Sequence, residues 1–183
     1  MHQDRPYDPI GIAGGESNYG YVQNPVCWID PFGLAGCSAT LGKNMMEKMG
    51  LPRSTTWKGY QAHHVIPKEL ANHPALKKIN YYIDDASNGI FLRTKDDAIS
   101  AMARHQGNHS GYTESIRSAL GKIDLNQSAS SISKQVSDIQ NIARGGLRNG
   151  IPIRPLDMDK AGGALGNSKV NALWNNVFGK GGW

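Results

Sequence analysis

Apolar residues recur at helical spacing along the second half of the chain. Tyr112, Ile116, Leu120 and Ile123 stand four, four and three residues apart, and Ile132, Val136, Ile139, Ala143 and Leu147 repeat in the same way. Side chains at these spacings share one helix face, so each set predicts a helix with one buried stripe. Gly145-Gly146 weakens the end of the second. The charged stretch KDDAISAMARH, Lys95 to His105, also reads as helix. NGIFL, Asn88 to Leu92, reads as a short strand entered through an Asn-Gly turn. VIPKEL leads into a helical turn around Lys68–Ala71. His73-Pro74 starts another, because proline suits the first helical position. A short helix over Lys43–Met49 is closed by Gly50 and Pro52, and its methionines are expected to serve packing. Much helix with little strand predicts an α+β fold.

The flanks follow other patterns. Residues 1–34 are rich in Gly, Pro, Asn, Tyr and Trp, and carry two near copies of one phrase, DPIGIAGG and DPFGLAG. Asp-Pro and Pro-x-Gly are turn chemistry, so short strands and turns are expected there. The tail beyond Pro152 is rich in Gly, Asn and Asp apart from the apolar patch VNALWNNVF. Four zones result: a leader over 1–34, a linker with a short helix over 35–58, a dense domain over 59–150 and an extension over 151–183.

Composition narrows the class. The 183 residues are 39% apolar with 22 glycines, enough for one modest core and many loops. No apolar run approaches the ~20 residues that span a bilayer. MHQDRPYDPIG has neither a basic start nor an apolar stretch, so no signal peptide is expected and export would need a dedicated apparatus. Cys27 and Cys37 fit neither a metal knuckle nor a disulfide framework and are expected to be free thiols. Charge divides unevenly. Residues 1–34 carry Arg5 against Asp4, Asp8, Glu16 and Asp30, a net of −3, leaving +8 in the rest of a chain whose total is +5. A basic body suits an acidic partner such as nucleic acid.

Five of the six histidines lie between positions 63 and 109, and His63 and His64 are adjacent in GYQAHHVIPKEL. Successive side chains on a strand point to opposite faces. Two ligands of one ion are therefore rarely neighbours there, whereas two histidines with different tasks can be. Neutral imidazole ligates metals, and its ordinary pKa near 6.5 suits a general base. His105 and His109 stand either on one helix face or, given Gly107 and Asn108 between them, in a loop and at a helix start. One histidine of the pair with these two makes three protein ligands and leaves a coordination position open, the pattern of a catalytic centre. His73 reads as a helix cap. A peptide or cell-wall zinc hydrolase is disfavoured because HExxH is absent.

QAHHVIP, then NGIFL, then HQGNHSGY, in that order, resembles the AHH family of toxin nucleases in the HNH/endonuclease VII superfamily, over roughly Tyr60 to Gly150. The resemblance implies a ββα-metal (His-Me) finger with His63 as metal ligand, His64 as general base and Asn88 pinning the hairpin loop and helping to orient the base. His105 and His109 would supply the remaining ligands, with both or only one reaching the ion. One divalent ion is implied: an all-imidazole set favours Zn²⁺ or Ni²⁺, while the superfamily often works with Mg²⁺, and Mn²⁺ stays open. The activity implied is hydrolysis of DNA, with RNA as the alternative substrate and a non-catalytic interaction or delivery module as the rival of another class. Lys68, Arg93, Lys95, Arg104 and Arg117 are candidates for phosphate contacts.

The leader, YDPIGIAGGESNYGYVQNPVCWIDPFGLA, resembles the end of an Rhs (YD-repeat) polymorphic toxin core. Pro25, Asp30, Pro31, Gly33 and Leu34 match the self-cleavage phrase of that family, implying a cut after Leu34, with Asp30 and Asp8 in an aspartyl-protease-like role. Such a toxin implies the remainder of an Rhs core, export from the bacterial cytoplasm, action in a target cell and an immunity protein, expected to be acidic opposite a basic face.

Overall fold

A computed structural model describes residues 39–94, 100–105, 109–154 and 166–179. The leader with its self-cleavage phrase, and Lys95, lie outside these residues. The architecture is α+β: five helices and a two-stranded sheet among the described residues.

Helix α1 spans Ala39–Lys48 and buries Leu41, Met45 and Met46. It begins four residues before the stretch predicted, and Gly50 ends it in the left-handed region at φ +76°. Strand β1 (Tyr60–His64) pairs antiparallel with β2 (Gly89–Arg93), with Ala62 opposite Phe91, His63 opposite Ile90 and His64 opposite Gly89. Paired residues share a face, so the hairpin has two distinct sides. Ala62 and Phe91 pack with Leu41 and Met45 of α1. Ile90 and Leu92 join the main core on the other side.

The strands are not joined by a tight Asn-Gly turn. Residues 65–88 intervene, with 3₁₀ turns at Lys68–Leu70 and Ala86–Asn88 and helix α2 at Pro74–Lys78. His73 caps α2, its Nδ1 accepting from Ala75 N at 3.3 Å. Gly89 is already extended at φ −104°, and Asn88 holds the loop through its side chain.

Residues 100–105 are not helical, against the reading of KDDAISAMARH. Their backbone donors are taken by neighbours: His105 N donates to Arg93 O at 3.0 Å, and Ala103 N to Leu147 O at 2.8 Å. Arg104 forms a parallel bridge with Arg93. Met102 is the one sizeable apolar side chain among residues 100–105, so a helix here had little packing to gain, and the β2 edge offered the same hydrogen bonds.

Helices α3 (Ser110–Gly121), α4 (Ala129–Arg148) and α5 (Asn167–Gly179) cover the other side of the hairpin. The predicted stripes are buried as expected: Tyr112, Ile116 and Leu120 on α3, with Ile123 just beyond it, and Ile132, Val136, Ile139, Ala143 and Leu147 on α4. The apolar patch in the tail is α5, which adds Val170, Trp174 and Phe178 to this core. Gly145-Gly146 does not end α4. A Cβ on Gly146 would lie 2.6 Å from the Trp174 ring, so the bare backbone is what lets α5 seat its indole, whose Nε1 donates to Pro152 O at 2.8 Å.

Candidate active site

His63 is fully buried beside Tyr112, with ring centroids 5.6 Å apart. The β pairing that sets its side is reinforced by Tyr112, whose hydroxyl donates to Val65 O. His105 is brought in by its backbone bond to β2. His109 immediately precedes α3, and its Nδ1 lies 3.3 Å from Thr113 Oγ1. The loop-and-helix-start alternative is thus the one adopted. The three rings converge: centroids are 4.9 Å apart for His63–His105, 5.1 Å for His63–His109 and 5.7 Å for His105–His109. One nitrogen from each lies within 4.8 Å of the others.

Burial sets their charge. It lowers His63 well below the ordinary value, aided by the charges of His105, His109 and His64. It brings His105 down to about 4 and also lowers His109, with the nearby Glu69 carboxylate opposing. All three are therefore neutral at pH 7, the form that donates a lone pair. His63 Nε2 and His105 Nδ1 are buried with no hydrogen-bond partner among the described residues. Buried polar atoms left this way are costly unless something else binds them. Orphaned nitrogens on neutral, convergent imidazoles fit a divalent transition ion, bound by three protein ligands with a position open.

His64 lies on the opposite face, toward α1. It pairs with Gly89, where any Cβ would meet Met45 Sδ at 2.2 Å. His64 Nε2 lies 2.7 Å from Asp84 Oδ1, the two side chains being 8% and 16% exposed. A carboxylate only accepts, so Nε2 is the donor, and in the neutral ring the lone pair then falls on Nδ1. Asp84 belongs to none of the motifs in the sequence.

Asn88 is fully buried and saturated. Its Oδ1 accepts from Ile66 N at 2.8 Å and from Gln140 Nε2 at 3.1 Å; its Nδ2 donates to Ile66 O at 3.0 Å and Ile83 O at 2.9 Å. None of these bonds reaches His64. Asn88 ties Ile66, two residues after His64, to Ile83, one residue before Asp84. Gln140 also donates to Tyr81 OH at 2.7 Å, linking α4 to this knot.

The basic candidates are dispersed. Lys68 is exposed on its 3₁₀ turn. Arg93 stacks over Tyr60 at 5.2 Å. Arg104 spends donors on backbone carbonyls of Met102 and Ser100, and Arg117 pairs with Glu114 at 3.1 Å.

Residues 44–145, more than half of the chain, match the model of AHH, "a nuclease family of the HNH/ENDO VII superfamily with conserved AHH". Short stretches match curated relatives. Probable deoxyribonuclease RhsA of Dickeya dadantii (strain 3937) is 87% identical over 30 residues, 16% of this chain and 2% of that protein. Probable deoxyribonuclease RhsB of the same strain is 81% identical over 31 residues, 17% and 2%. Double-stranded DNA deaminase toxin A of Burkholderia cenocepacia (strain H111) is 51% identical over 45 residues, 25% and 3%. The chain thus matches only a small part of each relative. No solved structure matches it. With the histidine pair on its hairpin, its two partners downstream and the family model spanning both, the chain belongs to the AHH nuclease family of the HNH/ENDO VII superfamily.

Proposed function

We propose that this chain is a metal-dependent DNA endonuclease acting as a toxin on competing bacteria. The observation that carries the reading is the division of labour across β1. His63 turns one way, into a cluster of neutral imidazoles, while His64 turns the other, its Nε2 against the Asp84 carboxylate.

In this reading His64 Nδ1 takes a proton from a water beside the scissile phosphate. The hydroxide adds to phosphorus in line, the P–O3′ bond breaks, and the products are a 5′-phosphate and a 3′-hydroxyl that takes its proton from solvent. His63, His105 and His109 hold the ion, which when bound supplies Lewis-acid neutralisation of the phosphate and leaving oxygens. Imidazole ligands favour Zn²⁺ or Ni²⁺ over Mg²⁺, with Mn²⁺ between. Asn88 keeps the loop between the strands in place. Lys68, exposed on its 3₁₀ turn, is the basic candidate best presented to phosphates.

The substrate assignment draws on relatives named as deoxyribonucleases. Short stretches shared with proteins named for hydrolysis and for deamination support a common toxin framework, whereas the chemistry comes from the histidine site. The framework brings the further proposals: an Rhs core upstream, release after Leu34 through Asp8, Pro25, Asp30, Pro31 and Gly33, export from the producer's cytoplasm, action in the target cell and an acidic immunity protein. The released body would begin at Ala35, ahead of α1.

The purified full chain, stripped of metal and resupplied with Zn²⁺, Ni²⁺, Mg²⁺ or Mn²⁺ in turn, is expected to nick supercoiled plasmid with at least one ion and to stop with EDTA. tRNA incubated in parallel should stay intact. Cleavage unaffected by EDTA would overturn the metal assignment, and cleavage of tRNA alone the DNA assignment.

A further inference from the structure

The partner of His64 extends the reading. Asp84 Oδ1 lies 2.7 Å from His64 Nε2, and no other side-chain bond to the Asp84 carboxylate occurs among the described residues. Asp84 is itself held on both sides. Asn44 of α1 donates from Nδ2 to Asp84 O at 2.7 Å, and Asn88 Nδ2 holds the preceding carbonyl, Ile83 O, at 2.9 Å. Asn44 is fixed in turn by Arg53 Nη1, which donates to its Oδ1 at 2.8 Å. The carboxylate therefore stands on a braced backbone and points at the ring nitrogen remote from the reacting water.

From this geometry we propose that Asp84 is a positioning residue for the nuclease reaction. It holds His64 in the tautomer protonated at Nε2, so that Nδ1 faces the water with its lone pair, and it offsets the positive charge the ring gains on taking the proton. It acts through His64 and touches neither metal nor substrate. Helix α1 belongs to the site for the same reason, since Asn44 anchors Asp84. The proposal rests on His64 being the general base.

The test is a mutant cycle on the full chain with supercoiled plasmid and the activating ion. His64→Ala, Asp84→Asn and the double variant are compared for kcat, KM and metal affinity. Asp84→Asn is expected to lower kcat by about 10²-fold or more, with KM and metal affinity unchanged, and to add nothing in the His64→Ala background. Asp84→Glu, which keeps the carboxylate, should recover part of the loss. Wild-type kcat in Asp84→Asn while His64→Ala is inactive would overturn the positioning role alone. Full activity in His64→Ala would overturn the base assignment and the positioning role with it. A drop in metal affinity in Asp84→Asn would mark the residue as part of the ion site and also overturn the proposal. Should the variants misfold, ¹⁵N NMR of the wild-type ring decides: protonation at Nε2 supports the proposal, and protonation at Nδ1 overturns it.

Discussion

A histidine that is buried and unprotonated gains nothing from its surroundings until something uses its lone pair. His63 and His105 show this in their orphaned ring nitrogens. Removing one member of the set should weaken the ion's hold: His109→Ala is expected to lower metal affinity by about 10-fold or more in calorimetry, and unchanged affinity would remove it from the ligands. Stability should report the same burial. Both His63 and His105 have native pKa values below the unfolded value of 6.5, His105 at about 4. The unfolded chain then binds protons that the native chain refuses. The metal-free fold is thus most stable above pH 6.5 and loses stability as pH falls toward 4, His105 contributing roughly 3 kcal/mol of that loss. Urea unfolding of EDTA-treated protein between pH 7.5 and 5, before most carboxylates titrate, measures it; stability flat or rising as pH falls would contradict the assignment. The adjacency of His63 and His64 was informative in the sequence because strand geometry forces neighbours apart. Asp84 was not, since what gives it meaning is a contact to a residue 20 positions earlier in the chain, across α2.

At the level of elements, the two long amphipathic helices were legible because a 3.6-residue period survives wherever one face meets the core. The segment from Lys95 to His105 was misread over its described part because propensity is a weak prior beside a strand edge and a helix end that satisfy the same backbone groups. Gly145-Gly146 weakens the end of the helix as read, but a glycine needed for close approach looks in sequence like one that only costs propensity. The two positions separate cleanly. A Cβ at Gly145 meets nothing within 4 Å, whereas one at Gly146 meets the Trp174 ring at 2.6 Å. Gly145→Ala is therefore expected to stabilise by about 0.5–1 kcal/mol through helix propensity. Gly146→Ala should destabilise by about 1–2 kcal/mol, since displacing the indole outweighs the same gain. Denaturant midpoints for the two variants check this, and equal shifts of the same sign would show that α5 does not bear on α4 here.

Over the whole molecule, one hairpin divides the work. Its α3–α4 side carries the imidazole cluster and the larger core; its α1 side carries His64, its partner Asp84 and a smaller core. The family motifs were readable because they are short runs of fixed residue types, and the family model spans them. The frame around them was less so, because Asn44, Gln140 and Trp174 belong to no motif and act through packing and single hydrogen bonds. The net charge of +8 beyond the leader gives the body an attraction to phosphate that sequence alone shows, although Arg104 and Arg117 already spend donors within the protein. Plasmid cleavage at subsaturating DNA should accordingly fall steeply between 50 and 200 mM salt; a salt-independent rate would argue against phosphate-led binding. The division across the hairpin is tested most directly by metal-loaded His64→Ala cutting supercoiled plasmid in single turnover. The account predicts wild-type metal stoichiometry with cleavage slowed by about 10²–10⁴-fold, and cleavage within a few-fold of wild type would contradict it.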